Sequence, residues 1–270
     1  MRPVASGGAE ERVAARVREL AATYEPPDFA HVPSVDAALF LCAVDHKTGY
    51  GESHPVGGSG PFAGSALLWE LACAAERARP GTLSADALAG VGAERVAELF
   101  RAGGESVSDP EGRARLWRDL ATGLERDHGG EASALIAASG GRLGGAGGLV
   151  ALLARYEAYA DPLAKKAFLF AKIAERRGWL AVADPESWQV CADNVLMRLA
   201  LRSGLVEPGG VEEVRAATRE AFARVAAGSG VPPPVLDDLL WERGREDPAL
   251  LGADAGELRE PPRREGVHWY

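Results

Sequence analysis

Apolar residues recur at helical spacing along almost the whole chain, and this pattern constrains the fold more than any other feature. Over residues 10–23, for example, Val13, Val17 and Leu20 fall on one face of a helix, and Pro26 follows soon after its end. The alternation of apolar and polar residues that is typical of β-strands is almost absent. The pattern therefore predicts an all-α fold.

Further helices are predicted wherever this spacing returns between glycine and proline residues. The residues after 44 are rich in Gly, Ser and Pro, and they are numerous enough for one small β-hairpin near residues 45–62. The predicted helices cover residues 35–44, 65–79, two short segments between 84 and 100, 113–124, 131–139, 149–159, 163–177, 194–203, 211–227 and 236–243.

The length and composition are those of an ordinary globular protein. A chain of 270 residues, 47% hydrophobic and 26% charged, can bury a sizeable core. We expect one compact helical domain over residues 1–254, followed by a polar tail over residues 255–270. No apolar run approaches the roughly 18 to 20 residues that cross a bilayer, and the first residues lack a signal-peptide pattern. These features predict a cytoplasmic protein with no membrane partner.

Charge and cysteine content narrow the class of ligand. A formal net charge of -9 disfavours a surface that neutralises the phosphates of a duplex and favours a small ligand. Cys42, Cys73 and Cys191 stand singly in apolar stretches, which is typical of buried thiols rather than of disulfides or a zinc site. No set of His, Cys and carboxylate residues has metal-ligand spacing, so we expect neither a metal nor another cofactor.

The segment 140–148 holds six glycines in nine residues, which invites comparison with a phosphate-binding loop. Such a loop follows a strand and continues into Gly-Lys-Ser/Thr. Neither feature is present here. The segment is therefore predicted to be a flexible connection.

Asp193 directly precedes the predicted helix that begins at Asn194. Aspartate is among the best residues for accepting the free amide hydrogens at a helix start, so capping alone explains its position. The same amides and the helix dipole also favour an ionised carboxylate. A fixed carboxylate beside a bound sugar can stabilise the positive charge that develops as a glycosidic bond breaks, or can act there as nucleophile or base.

Lysine is rare in this chain, and three of its four lysines lie close together at positions 165, 166 and 172. Lys165 and Lys166 point about 100° apart on a helix, so we expect one to face a site and the other to be solvated. The site lysine could bind a phosphate, protonate a leaving base or form a Schiff base with an opened sugar. A solvated first-turn lysine is the alternative for either residue.

Asp45, His46 and Tyr50 form a second candidate cluster, at the end of an apolar helix and the start of the Gly-rich segment. Loops anchored to a rigid helix often carry binding residues. His46 could serve as an acid, a base or a phosphate donor, or it could simply be a cation at the end of the helix. The three residues are predicted to line a substrate pocket.

The run from Cys191 to Val206 resembles the helix-hairpin-helix base-excision glycosylases, in which an aspartate heads a short helix. A wider similarity extends along nearly the whole chain and points to the queuosine salvage proteins, which are nucleotide N-glycosidases that release queuine from queuosine 5′-phosphate. The segments that carry this resemblance, in the order of that family, are residues 64–78, 95–100, 165–167, 192–193, 213–216 and 236–242.

This resemblance implies that Asp193 corresponds to the catalytic aspartate and Lys165 or Lys166 to the active-site lysine. The family has Asp-Tyr-Arg-Val-Pro-Gln where this chain has Asp193-Asn-Val-Leu-Met-Arg, so the residues that contact substrate, Asn194 and Arg198 here, have changed. The implied partner is a small modified nucleoside or nucleotide of the kind found in tRNA modification.

Three functions are therefore expected in order. The first is an N-glycosidase, with queuosine 5′-phosphate or a related modified nucleotide as substrate, serving base salvage. The second is a helix-hairpin-helix DNA glycosylase and lyase that removes a damaged base, for which nucleic acid would be the partner. The third is a non-catalytic helical scaffold.

Overall fold

A computed structural model describes residues 7–252 and 266–269, and within these residues the fold is helical with one hairpin. None of the described helices is long and apolar enough to cross a membrane. The helices are α1 (Gly7–Ala21), α2 (Val35–Val44), α3 (Gly64–Ala78), α4 (Ala85–Leu88), α5 (Ala93–Leu99), α6 (Pro110–His128), α7 (Ala132–Ala138), α8 (Leu149–Leu153), α9 (Lys165–Arg176), α10 (Asn194–Arg202), α11 (Val211–Ser229) and α12 (Pro233–Glu246).

The hairpin joins β1 (His54–Val56) to β2 (Ser59–Phe62), with the two strands antiparallel. The predicted all-α class and the small hairpin within residues 45–62 are thus confirmed. The predicted polar tail over residues 255–270 lies outside the described residues, apart from 266–269, and stays a prediction.

The described residues group into two compact units. The first comprises the chain up to Pro27 together with the residues from Ser187 to His268, and the second comprises Asp28–Glu186 and Trp269. The assignment of residues 1–254 to one domain stays a prediction.

The first unit consists of α1, α10, α11 and α12. Helix α1 packs along α11, while α10 packs against both α11 and α12. These contacts hold the start of α10, and with it Asp193, against the unit's core. Apolar side chains fill that core, among them Val13, Val17, Leu196, Phe222 and Leu240.

The second unit is built around α2, which contacts α3, α6, α7 and α9. Every residue from Ala37 to Val44 is buried, as expected for a helix that is apolar on all sides. The Trp117 indole donates a hydrogen bond to the Phe40 carbonyl over 2.7 Å, and the Tyr159 hydroxyl donates to the Leu39 carbonyl over 2.5 Å. Polar contacts thus fix α2 along its length.

Two predicted boundaries were wrong, and each has a local reason. The helix expected over residues 149–159 ends at Leu153, and a separate 3₁₀ turn covers Glu157–Tyr159. The last helix begins at Pro233 rather than at residue 236, because proline is accepted in the first turn of a helix, where its missing N–H would have no partner.

The Gly-rich segment 140–148 is ordered by a carboxylate of the chain. The amides of Leu143 and Gly144 donate to the two oxygens of buried Asp184, over 2.7 and 2.9 Å. Asp184 therefore occupies the position that an anion would take in a phosphate-binding loop. The prediction that the segment is a connection rather than such a loop agrees with these contacts.

Candidate functional site

Asp193 is the N-cap of α10, as its local sequence predicts. Its backbone is extended, and its Oδ1 accepts hydrogen bonds from the amides of Val195 and Leu196 over 2.9 and 3.0 Å. Two amide donors and the positive end of the helix dipole favour the charged form of this carboxylate. The side chain is partly exposed, so a fixed anion is presented at the start of α10.

The segment before Asp193 is held by two buried charged side chains of neighbouring helices. Asp237 of α12 accepts a hydrogen bond from the Cys191 amide over 2.6 Å, and Arg215 of α11 donates from Nε to the Ala192 carbonyl over 3.3 Å. Arg215 is fully buried and Asp237 is 4% exposed. The backbone that leads to Asp193 is therefore fixed on both its donor and its acceptor sides.

Sequence analysis missed both of these residues, although a signal was present. Arg215 lies three residues before Thr218 and seven before Phe222, which places it on the buried face of α11. Asp237 lies three residues before Leu240 on the buried face of α12. A charged residue on an apolar face needs a partner, and here the partner is the backbone that leads to Asp193.

Asn194 and Arg198 follow Asp193 along α10, four residues apart and therefore on neighbouring positions of one face. Both are partly exposed. The Asn194 Oδ1 atom is buried and has no hydrogen-bond partner within the described part of the chain. Since buried polar atoms are usually satisfied, Asn194 has hydrogen-bonding capacity available beside Asp193.

The Lys166 amine lies at the C-terminal end of α2. Its Nζ donates to the Ala43 carbonyl over 2.5 Å and is 3.2 Å from the Nδ1 of His46. Lys166 is fully buried and Lys165 is 8% exposed. The expectation that one of the two lysines is solvated was therefore wrong, because packing encloses both.

The turn before α9 is shaped by Asp161. Its Oδ1 accepts from the Leu163 amide and its Oδ2 from the Lys165 amide, each over 3.0 Å. Between them Ala164 adopts a φ of 51°, in the left-handed region that an alanine enters at a cost of about 1 kcal/mol. Asp161 thus stabilises a strained turn that sets the start of the helix carrying both lysines.

Burial lowers the pKa of the Lys166 amine well below its ordinary value, because the charged form loses its hydration. The neighbouring charge of Lys165 lowers this pKa further, while the carboxylate of Asp45 opposes the shift. Lowered lysine pKa values are characteristic of lysines that act as bases or nucleophiles.

This lowered pKa makes the stability of the fold depend on pH. The unfolded chain protonates Lys166 near pH 10.5, whereas the folded chain does so only at lower pH. Between the two values the unfolded state binds more protons, so the free energy of unfolding falls as the pH is lowered. We expect Lys166→Met to remove this dependence, which can reach about 1.4 kcal/mol per pH unit. Urea unfolding of both proteins at pH 8, 9 and 10 measures it, and parallel pH profiles would contradict it.

Asp45 and Tyr50 are both engaged within the second unit. Asp45 accepts hydrogen bonds from the Ser65 hydroxyl over 2.8 Å and from the Trp69 indole over 3.1 Å. The Tyr50 hydroxyl donates to the Phe100 carbonyl over 2.7 Å, and burial raises its pKa to about 12. Contacts of either residue with a substrate stay a prediction.

Arg113 of α6 is a second residue that sequence analysis missed. Its guanidinium is 1% exposed and donates to the Ser108 carbonyl over 2.7 Å and to the His46 carbonyl. Arg113 lies three and four residues before the buried Leu116 and Trp117, so it too was recognisable as a charged residue on an apolar face. It fixes the backbone just beyond the end of α2.

The predicted site residues fall into two groups. Asp45, His46 and Lys166 come together in the second unit, where the charges of Asp45 and Lys166 interact. Asp193, Asn194 and Arg198 lie at the start of α10 in the first unit. Among residues 7–252 and 266–269, no group of three His, Cys or carboxylate side chains is arranged to hold a metal ion.

No protein-family model matches the chain, and no curated protein matches it in sequence. Among solved structures it is similar to 8-oxoguanine DNA glycosylase from Pyrobaculum aerophilum in complex with 8-oxoguanosine, with a TM-score of 0.52. The match covers 95% of this chain and 100% of that one, and the sequences are 14% identical. At this identity the likeness concerns the fold alone. The chain therefore has the glycosylase-like helical fold that its sequence resemblance predicts.

Proposed function

We propose that this protein is an N-glycosidase that hydrolyses the bond between the sugar and the base of a modified nucleoside or nucleotide. The observation that carries the proposal is the carboxylate of Asp193, held by two amides at the N-terminus of α10 in a chain with a glycosylase-like fold. Asp193 is placed where the resemblance to helix-hairpin-helix glycosylases puts their catalytic aspartate.

The chemistry needs a fixed negative charge of this kind. As the bond between the anomeric carbon and the base nitrogen breaks, positive charge develops on the sugar ring. A carboxylate that is already oriented stabilises that charge without reorganising during the reaction. Water then adds to the anomeric carbon, its hydroxyl remaining on the sugar and its proton balancing the charge of the departing base. Asp193 would supply the charge stabilisation.

Asn194 and Arg198 are proposed to contribute to binding. The Asn194 side chain has a buried oxygen without a partner in the described residues, and it can rotate to offer either a donor or an acceptor to a base. Arg198 lies one turn further along α10. These are the positions at which the chain departs from the queuosine salvage proteins, so they are proposed to set which base is accepted.

Queuosine 5′-phosphate is the first substrate to test, because the chain-wide resemblance points to the queuosine salvage proteins. Purified protein is expected to release queuine from queuosine 5′-phosphate, or a different base from another modified nucleotide, and chromatography with mass spectrometry detects either product. Release of no base from a panel of modified nucleosides and nucleotides, by protein shown to be folded, would overturn the proposal.

A DNA glycosylase and lyase is the second candidate, favoured by two observations. The similar structure is a DNA glycosylase, and Lys166 carries an amine whose pKa burial lowers. In this reaction a lysine attacks the sugar carbon as the base departs and forms a Schiff base with the opened sugar. Borohydride would trap that adduct on duplex DNA containing 8-oxoguanine. Absence of a trapped adduct, together with no binding of this duplex at low salt, would reject the candidate.

A further inference from the structure

The hydrogen bonds around His46 restrict where its ring can carry a proton. The Nε2 of His46 lies 3.4 Å from the NH1 of Arg113. A guanidinium can only donate hydrogen bonds, because none of its nitrogens has an accepting lone pair. Burial lowers the pKa of Arg113 only to about 10, so the guanidinium remains charged at neutral pH. Nε2 must therefore accept, and the proton of a neutral His46 ring lies on Nδ1.

That proton is directed at Lys166. The Nδ1 of His46 is 3.2 Å from the Lys166 Nζ, and an Nδ1–H group can only donate in this contact. A charged ammonium has three donors and no acceptor, whereas a neutral amine has a lone pair. Only a neutral amine satisfies both this contact and the hydrogen bond that Nζ donates to the Ala43 carbonyl over 2.5 Å.

We propose that Arg113 and His46 are positioning residues that together hold the Lys166 side chain as a neutral amine. Arg113 fixes the ring tautomer of His46, and the ring in turn offers an N–H to the lysine lone pair. Arg113 also holds the His46 backbone, since it donates to the His46 carbonyl. The ring therefore has both its position and its proton set by one buried guanidinium.

The other charges around Lys166 act on the same amine. Lys165 and Arg113 disfavour a third positive charge, whereas Asp45 and the thiol of Cys42 favour it. Asp45 is itself bound by Ser65 and Trp69, and these contacts already satisfy both of its oxygens in part. The direction in which burial shifts the pKa of Lys166 agrees with the hydrogen-bond argument but does not enter it.

The proton state decides what Lys166 can do. A neutral amine can accept a proton or attack an electrophilic carbon, but it offers no positive charge to a phosphate group. In the proposed glycosidase, phosphate binding would therefore fall to other residues. The proton state itself does not rest on the proposed function, and it can be measured on the protein without any substrate.

Nitrogen NMR on protein with labelled histidine and lysine tests the proposal directly. The chain has five histidines, and the His46 signal is the one that disappears in His46→Gln. We expect a neutral His46 ring at pH 7 with its proton on Nδ1. We also expect a Lys166 amine that titrates at least one pH unit below the 10.4 of a lysine in a model peptide. A His46 proton on Nε2, or on both nitrogens, would overturn the proposal, as would a Lys166 that is charged at pH 9.

A matched pair of variants then tests whether His46 controls the lysine. In His46→Gln the amide oxygen can accept from Arg113 while the amide nitrogen donates to Lys166, so the amine should stay neutral. In His46→Glu both oxygens accept, so the Lys166 titration midpoint should rise by about 1 to 3 pH units. Equal midpoints in the two variants would show that His46 does not set the proton state. If neither variant folds, the spectra of the unaltered protein decide the question.

Discussion

An Asp193→Asn variant is expected to lose at least about 100-fold in kcat for base release while melting within a few degrees of the unaltered protein. Asparagine caps helices as well as aspartate does, so the two hydrogen bonds from Val195 and Leu196 can be kept. What the substitution removes is the negative charge. Steady-state kinetics on the substrate found by the nucleotide panel, with thermal unfolding of the same samples, measure both effects.

Asp193→Ala provides the matched control for the capping role. It removes the charge and the cap together, and the lost cap should cost about 1 kcal/mol, or roughly 2 to 4 °C of melting temperature. If both variants remain fully active, the carboxylate serves only as a cap, and the non-catalytic scaffold becomes the better description. If both lose activity and only the alanine variant loses stability, charge and capping are separate functions of one side chain.

Removing the carboxylate of Asp237 should damage both the fold and the reaction. In Asp237→Ala the buried amide of Cys191 loses an acceptor at 2.6 Å, and loss of a hydrogen bond to a charged group costs about 2 to 3 kcal/mol. We expect a melting temperature lower by roughly 5 to 10 °C. The loosened backbone before Asp193 should also lower kcat by roughly 10-fold or more, because small displacements of a catalytic group are costly.

Asp237→Asn distinguishes the hydrogen bond from the charge. Its amide oxygen can still accept from Cys191, so most of the stability and activity should return. Calorimetry and the glycosidase assay on both variants, below their melting temperatures, are the measurements. Equal losses in the alanine and asparagine variants would mean that the charge of Asp237, rather than its bond to Cys191, holds this segment.

The parts of the fold that depend on neighbouring residues were predictable. Ser34 caps α2 through its hydroxyl, which accepts from the Ala37 amide over 3.1 Å, and Asp193 caps α10 in the same way. Helical spacing and the Gly and Pro residues between helices were sufficient to predict most of the helices and the hairpin. Each of these features depends on contacts within about four residues, so a single sequence contains them.

The partners of the buried charged residues were not predictable, because they lie far apart in the chain. Lys166 meets the carbonyl of a residue 123 positions earlier, and Arg113 meets His46 across 67 positions. Helical spacing shows that Arg113, Arg215 and Asp237 face inward, but it does not show what they meet. That depends on how helices pack, which is decided by many apolar contacts at once.

The sequence by itself determined that this chain is helical, that Asp193 begins a helix with its carboxylate on free amides, and that lysines cluster at the start of another helix. Only the tertiary structure decided that both of these lysines are buried, that Lys166 meets His46, and that Arg215 and Asp237 brace the segment before Asp193. The reason is physical, since capping is a local interaction, whereas burial and the state of a proton depend on everything packed around the group.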